Sequence, residues 1–266
     1  MEPLVDTHCH IHDSEYDFII DEVLAGAEEQ GLAAMICVGT SLRSSFEAVE
    51  FAGRHGTCHA AVGIHPHAAA ASEAELERDF SALTDLAGRS RDRLVAVGEC
   101  GLDYFYHSDP DVRRRQAELF RWHLKLAADL ELPLIFHVRR AFEDFWPLYE
   151  TSRPSGVLHS FSDAAEQVDR ALETGRLYFG LNGIMTFSKD AGQLAAARAI
   201  PADRLLLETD APYLTPVPFR GKINKPEYLR FILDFLARLR GEEAGRLAAA
   251  TTANARSLFN LPSARP

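Results

Sequence analysis

The chain has 266 residues, 47% of them hydrophobic and 25% charged, an ordinary globular composition with enough apolar side chains for a sizeable core. A formal net charge of −11 excludes a protein that coats nucleic acid by bulk attraction, so any polyanionic ligand must be held locally, by metal ions and a few basic side chains. The start MEPLVDTHCH has neither a basic nor an apolar leader region, no apolar run reaches membrane-spanning length, and Cys9, Cys37, Cys58 and Cys100 form no C-x-x-C pair; a soluble cytoplasmic protein with reduced thiols, no membrane association and no obligatory protein partner is expected.

Short runs, most of them apolar and β-branched, alternate with amphipathic patterns along the chain. Candidate strands fall at residues 4–8, 33–39, 58–64, 94–99, 134–138, 157–159, 177–181 and 204–209, and such runs suit strands covered on both faces. Between them, Ser72 and Glu75 form a capping box ahead of Leu76, Phe80 and Leu83. Asp109-Pro110 starts a helix with Val112, Gln116, Leu119, His123 and Leu126 along one side. Gly31, Gly56, Gly175 and Gly241 stand where helices should stop, and the last part, 226–259, carries two helices split near Gly241. Eight β–α alternations without a linker or low-complexity tract predict a single α/β domain over 1–266, a (β/α)8 TIM barrel, with an open doubly wound sheet as the alternative.

The chemistry-bearing residues cluster at the expected strand ends. His8 and His10 share a face of the first strand and suit joint coordination of a metal ion; Asp6, on the same face, is positioned to orient an imidazole. His12 should lie past the strand, in solvent. Glu99, His137 and His159 close the fourth, fifth and sixth strands, and Asp210 follows the eighth. In a barrel those ends converge on one rim, where such enzymes carry their sites. Four histidines and two carboxylates make a two-metal set for borderline or hard divalent ions, with no cysteine competing. Two ions roughly 3.5–4 Å apart can serve a phosphoryl displacement. His65, in GIHPH, is a phosphate contact or a structural rim residue with equal standing; His59 reads as packed, and His55, His107 and His123 have no supporting context. Arg220 and Lys222, in a basic stretch after the eighth strand, and Arg139, two residues beyond His137, are candidate phosphate binders. Tyr104 and Phe105 are candidates to stack a base.

Across nearly the whole chain these motifs resemble the TatD family of metal-dependent deoxyribonucleases: DTHCHIHD at 6–13, GIHPH at 63–67, GECGLDY at 98–104, FHVR at 136–139, HSFS at 159–162, ETDAPYL at 208–214, TPVPFRGK at 215–222 and TTANARSLF at 251–259. The resemblance implies a TIM-barrel hydrolase of the wider amidohydrolase group. It implies His8, His10, Glu99, His137, His159 and Asp210 as metal ligands, magnesium, manganese or zinc as the ions, and DNA as substrate, single-stranded or at 3′ ends. The chain departs from the family pattern at Cys100, Ser160, Asp163 and the stretch Ile223-Asn224-Lys225-Pro226, none of which removes an expected ligand.

The expected mechanism has His8, His10 and Asp210 on one ion, His137 and His159 on the other, and Glu99 between them, with Asp210 orienting the attacking water or taking its proton. Two rival functions use the same fold: an amidohydrolase cutting a C–N or ester bond, and a non-catalytic nucleic-acid-binding barrel.

Overall fold

A computed structural model of the protein describes residues 2–262; Met1 and residues 263–266 of the expected domain lie outside the described residues. Its strands are β1 (Leu4–Cys9), β2 (Leu32–Val38), β3 (Cys58–Val62), β4 (Leu94–Asp103), β5 (Leu134–Arg139), β6 (Gly156–Leu158), β7 (Leu177–Leu181) and β8 (Leu205–Leu207). They form one eight-stranded sheet in the order β1 to β8, with helices between most successive strands. The pairs β1–β2, β3–β4, β4–β5, β5–β6 and β7–β8 are parallel. The chain just past β8 returns to β1: Cys9 bridges Ala211 in parallel, the Asp210 amide donates to the His8 carbonyl at 2.8 Å, and the His10 amide donates to that of Ala211 at 2.7 Å. Strands in sequence order with the last bonded to the first are the topology of the expected (β/α)8 barrel; an open doubly wound sheet needs a reversal of strand order.

The chain divides into two compact units, one contiguous, Val38–His159, and one discontinuous, made of the described parts of Met1–Cys37 and Ser160–Pro266. In the discontinuous unit every residue of β1 is buried. The final helices, Leu229–Arg240 and Ala244–Phe259, are separated at Gly241, whose φ of 69° is the left-handed cap position a glycine adopts at little cost. The second of these helices is tied to the strands by its polar residues. Thr252 Oγ1 donates to the Pro3 carbonyl at 2.7 Å, and Asn254 Nδ2 donates to the carbonyls of Ala202 and Leu205, each at 2.8 Å. The TTANARSLF motif is thus a set of clamps on the starts of β1 and β8.

In the contiguous unit, the helix Glu73–Arg89 begins with the expected capping box, Ser72 and Glu75 each bonding the other's backbone amide. The helix Pro110–Leu130 buries Val112, Gln116, Leu119, His123 and Leu126, the side read from the sequence. Phe120, Phe136, Phe145, Trp146 and Tyr149 are buried together, with Phe120 and Phe145 stacked at 5.7 Å. Such aromatic packing supplies a large share of apolar burial.

β4 is longer than the sequence predicts. It runs on to Asp103 because Gly101, Leu102 and Asp103 pair with His137, Val138 and Arg139 after a register shift. Gly101 has φ 140°, and a Cβ there would run into the His137 carbonyl. Only glycine allows β4 to lie this close to β5 beside His137. β8 is shorter than expected, because Arg204 ends a 3-10 turn and the residues after Leu207 leave the ladder.

Candidate metal centre

In the discontinuous unit, β1 supplies His8, the residue just past its end is His10, and the turn after β8 delivers Asp210. The two Nε2 atoms are 3.1 Å apart. Asp210 Oδ1 lies 3.7 Å from His8 Nε2 and 3.4 Å from His10 Nε2. These ligand atoms all lie within 4.8 Å of one another. Asp210 reaches the group from the left-handed region, φ 59°, a strained backbone for a non-glycine residue that persists where its surroundings fix it. Its amide is held by His8 and its carbonyl accepts from the Tyr213 amide at 2.8 Å. Asn224 Nδ2 donates to the carbonyls of Thr209 and Tyr213, on either side of the turn.

Two expectations about the first strand need correction. Asp6 bonds no imidazole ring: its carboxylate accepts from the Thr209 amide at 2.9 Å, from Thr209 Oγ1 at 2.5 Å and from the main-chain amide of His8. It therefore fixes backbone on both sides of the ligand group. Burial raises its pKa to about 7, against the lowering effect of those bonds. His12 is buried rather than solvent-exposed, because the chain turns back after β1 and leaves its ring 6.2 Å from that of His10.

In the contiguous unit, β4 supplies Glu99, β5 supplies His137, and the residues just past β3 and β6 supply His65 and His159. Glu99 Oε1 lies 2.8 Å from His137 Nδ1, 3.4 Å from His65 Nε2 and 3.8 Å from His159 Nε2. His65, Glu99 and His137 form a second group with ligand atoms within 4.8 Å of one another. His65 thus stands among the candidate ligands. Burial drives its pKa down to about 4, although Glu99 opposes the shift; a neutral imidazole is the form that binds a metal.

Sequence reasoning missed Asp103. Its Oδ2 lies 3.0 Å from His137 Nε2 and 3.0 Å from His67 Nε2, so His137 sits between two carboxylates. Burial pushes the Asp103 carboxyl up, but its bonds to His137 and His67 outweigh that and hold it below the usual carboxylate range. Burial works against a charged His137, yet the bonds to Asp103 and Glu99 raise its pKa. The available signal was position: Asp103 lies four residues beyond Glu99 in an extended segment, and even spacing along a strand repeats a face. His123 also has a role the sequence did not suggest. Its Nε2 accepts from the Ile64 amide at 3.0 Å, so Nδ1 carries the proton donated to the Leu119 carbonyl, fixing the backbone beside His65.

The basic candidates are placed as follows. Arg139 is exposed at the end of β5, its guanidinium carbon 3.9 Å from the centre of the Phe105 ring. Arg220 lies over Phe187 and donates through Nη1 to the Thr215 carbonyl at 2.7 Å. Lys222 is exposed, with Nζ 5.7 Å from the Phe219 ring.

Imidazole nitrogens and carboxylate oxygens converging at these distances fit borderline and hard divalent cations, and the four cysteines are buried, joined in no disulfide among the described residues, and outside both groups. The family description "TatD related DNase" matches residues 5–260. The chain belongs to the TatD family. YcfH of Escherichia coli K12, described as an uncharacterised metal-dependent hydrolase, is 35% identical over 98% of this chain and 97% of its own length. A TatD protein of Erwinia tasmaniensis, described as a 3′-5′ ssDNA/RNA exonuclease, is 38% identical over 91% of this chain and 93% of its own. The crystal structure of the TatD homologue YjjV from Escherichia coli K12 matches with a TM-score of 0.89 at 30% identity, covering 97% of this chain and 98% of that one. The protein is a metal-dependent hydrolase of the TatD type on a TIM-barrel fold. Among the described residues no helix is long and apolar enough to cross a membrane.

Proposed function

We propose that this TatD-family hydrolase cleaves phosphodiester bonds of DNA, removing nucleotides from single-stranded 3′ ends with the help of two divalent ions, magnesium, manganese or zinc. The observation that carries the reading is the pair of compact ligand groups, His8–His10–Asp210 and His65–Glu99–His137. His159, whose Nε2 lies 3.8 Å from Glu99 Oε1, completes the ligand set. The description of the Erwinia relative as an exonuclease of single-stranded DNA and RNA supports the choice of substrate. Divalent ions at such ligands supply Lewis acidity toward a phosphoryl oxygen and toward water.

The remaining work falls to the protein's own side chains. Asp210 Oδ1 orients the attacking water and accepts its proton. Asp103 holds the His137 ring in place through Nε2, 3.0 Å away. Arg139, Lys222 and the guanidinium donors that Arg220 does not spend on Thr215 neutralise phosphate charge. Four buried cysteines outside any disulfide fit a reducing compartment, which supports placing the protein in the cytoplasm.

The test is digestion of end-labelled single- and double-stranded DNA and RNA by the purified full chain in each of the three metals, with a chelator control and parallel amide and ester panels. Metal-dependent shortening from the 3′ end is expected. Asp210→Asn should lower turnover by about 10²–10⁴-fold without unfolding the protein. Failure to degrade any nucleic acid in any metal, or wild-type turnover in Asp210→Asn, overturns the reading.

A further inference from the structure

The loop after β4 and the end of β5 carry a second constellation, beside the contiguous unit's ligand group. Tyr104, one of the residues the sequence offers for base stacking, is already engaged. Its hydroxyl donates to Asp144 at 2.7 Å, and the Arg113 guanidinium covers its ring at 4.2 Å. Phe105, the other, is covered in turn: Arg139 lies 3.9 Å and Arg140 4.7 Å from its ring centre. Phe105 keeps 43% of its surface exposed, and the more open aromatic surface belongs to the next residue. Tyr106 is 61% exposed, packed edge-on against Phe105 at 4.8 Å and against His67 at 5.1 Å. Arg139 also lies within 5.1 Å of its ring.

The geometry points to Tyr106, Arg139 and Arg140 as a binding subsite for one nucleotide of a single strand, the base stacked on Tyr106 and its phosphate held by the two guanidinium groups; this rests on the proposed nuclease function. Three observations support it. Both arginines are exposed, and among the described residues neither makes an ion pair with a carboxylate, in a chain whose formal charge is −11. Packing over the Phe105 ring restrains both guanidinium groups, and a planar fork held in this way suits a phosphate better than a lysine ammonium would. Arg140 adopts φ 54°, an uncommon backbone for a long side chain, of the kind that clusters at ligand-binding sites. Tyr106 reaches the ligand group through His67, whose Nε2 contacts Asp103, the partner of His137. A strand lying on this shelf therefore runs toward the residues proposed to hold metal. An aromatic face under a base tolerates any sequence, and charge-paired phosphate contacts make the hold salt-sensitive.

The experiment measures KM and kcat on a short 5′-fluorescent oligothymidylate in manganese, and binding of the same oligonucleotide by anisotropy in chelator. Tyr106→Ala should raise KM and the dissociation constant about tenfold with kcat within about twofold. Tyr106→Trp should restore both. Arg140→Ala should weaken binding and reduce the slope of log K against log salt by about one. Tyr104→Phe, outside the shelf, should match the wild type. Wild-type KM and affinity in Tyr106→Ala, or a salt slope unchanged in Arg140→Ala, overturns the subsite. An inactive wild type in every metal overturns the nuclease reading instead, and the chelator binding arm still decides the subsite.

Discussion

The two ligand groups share residue types but not their arrangement. In the discontinuous unit, two imidazoles, His8 and His10, share one carboxylate oxygen of Asp210. In the contiguous unit, one imidazole, His137, lies between two carboxylates, Glu99 and Asp103. The acid nearest each group behaves differently as well. Asp6 spends its carboxylate on backbone and on Thr209, with a pKa raised to about 7 by burial. Asp103 contacts two histidine rings through Oδ2 and accepts from the Phe105 and Tyr106 amides through Oδ1, and it stays below the usual carboxylate range, its bonds to His137 and His67 outweighing burial. The difference shows two ways of fixing a ligand: by pinning the backbone that carries it, or by gripping its ring directly. The bonds to Asp103 and Glu99 also raise the pKa of His137 against the effect of burial, so a proton competes with a cation for this ring.

The sharpest way to break the comparison is to remove one ligand from each group. His8→Ala and His137→Ala should each cost one of two bound metal equivalents, read by elemental analysis after equilibrium dialysis. Unchanged stoichiometry in either variant would sink the assignment of that group. A smaller effect separates the two supporting acids. Asp103→Asn should weaken metal binding by about 10–100-fold, since it loosens the ring of a ligand, whereas Asp6→Asn should leave affinity within about threefold, as its amide oxygen still accepts from Thr209. Equal losses from both substitutions would erase the distinction.

The smallest effect concerns stability. Burial lowers the pKa of His123 from the ordinary 6.5 to about 4. An unfolded chain takes up this proton below 6.5 and the folded chain only near 4, so stability falls as pH drops through that interval. Between pH 7 and 5 this group should contribute about 2 kcal/mol of acid destabilisation. His123→Gln should flatten the acid side of the denaturation profile by that amount, and an unchanged slope would contradict the neutral, doubly bonded ring. Because His123 fixes the backbone at Ile64, the measurement also reports on how firmly His65 is held.

Much of this architecture is legible in the amino-acid sequence. Apolar runs, many of them β-branched, mark all eight strands, because strands buried on both faces need such residues along their length. The ligands are visible for the complementary reason: a His, Glu or Asp at the end of an apolar strand stands out against it. What stays hidden depends on contacts between distant segments. Asp103 reads as part of a loop because its strand character comes from pairing with Arg139, after a register shift that no single segment reveals. Tyr106 cannot be told from Tyr104 and Phe105 until the arginines covering those two are located. His12 reads as exposed because its burial comes from a turn of the chain rather than from a periodic pattern.

The stitching of the first strand to the last has a consequence for biosynthesis. Val38–His159 is one uninterrupted stretch, so a growing chain holds all of its residues as soon as that stretch has emerged. The discontinuous unit must wait. His8 and His10 are made early, yet Asp210, the Asp6–Thr209 bonds and the Thr252 clamp on Pro3 arrive only with the closing part of translation. A ribosome that stalls beyond His159 but short of Asp210 therefore holds a chain that has every residue of one ligand group while the other still lacks its carboxylate.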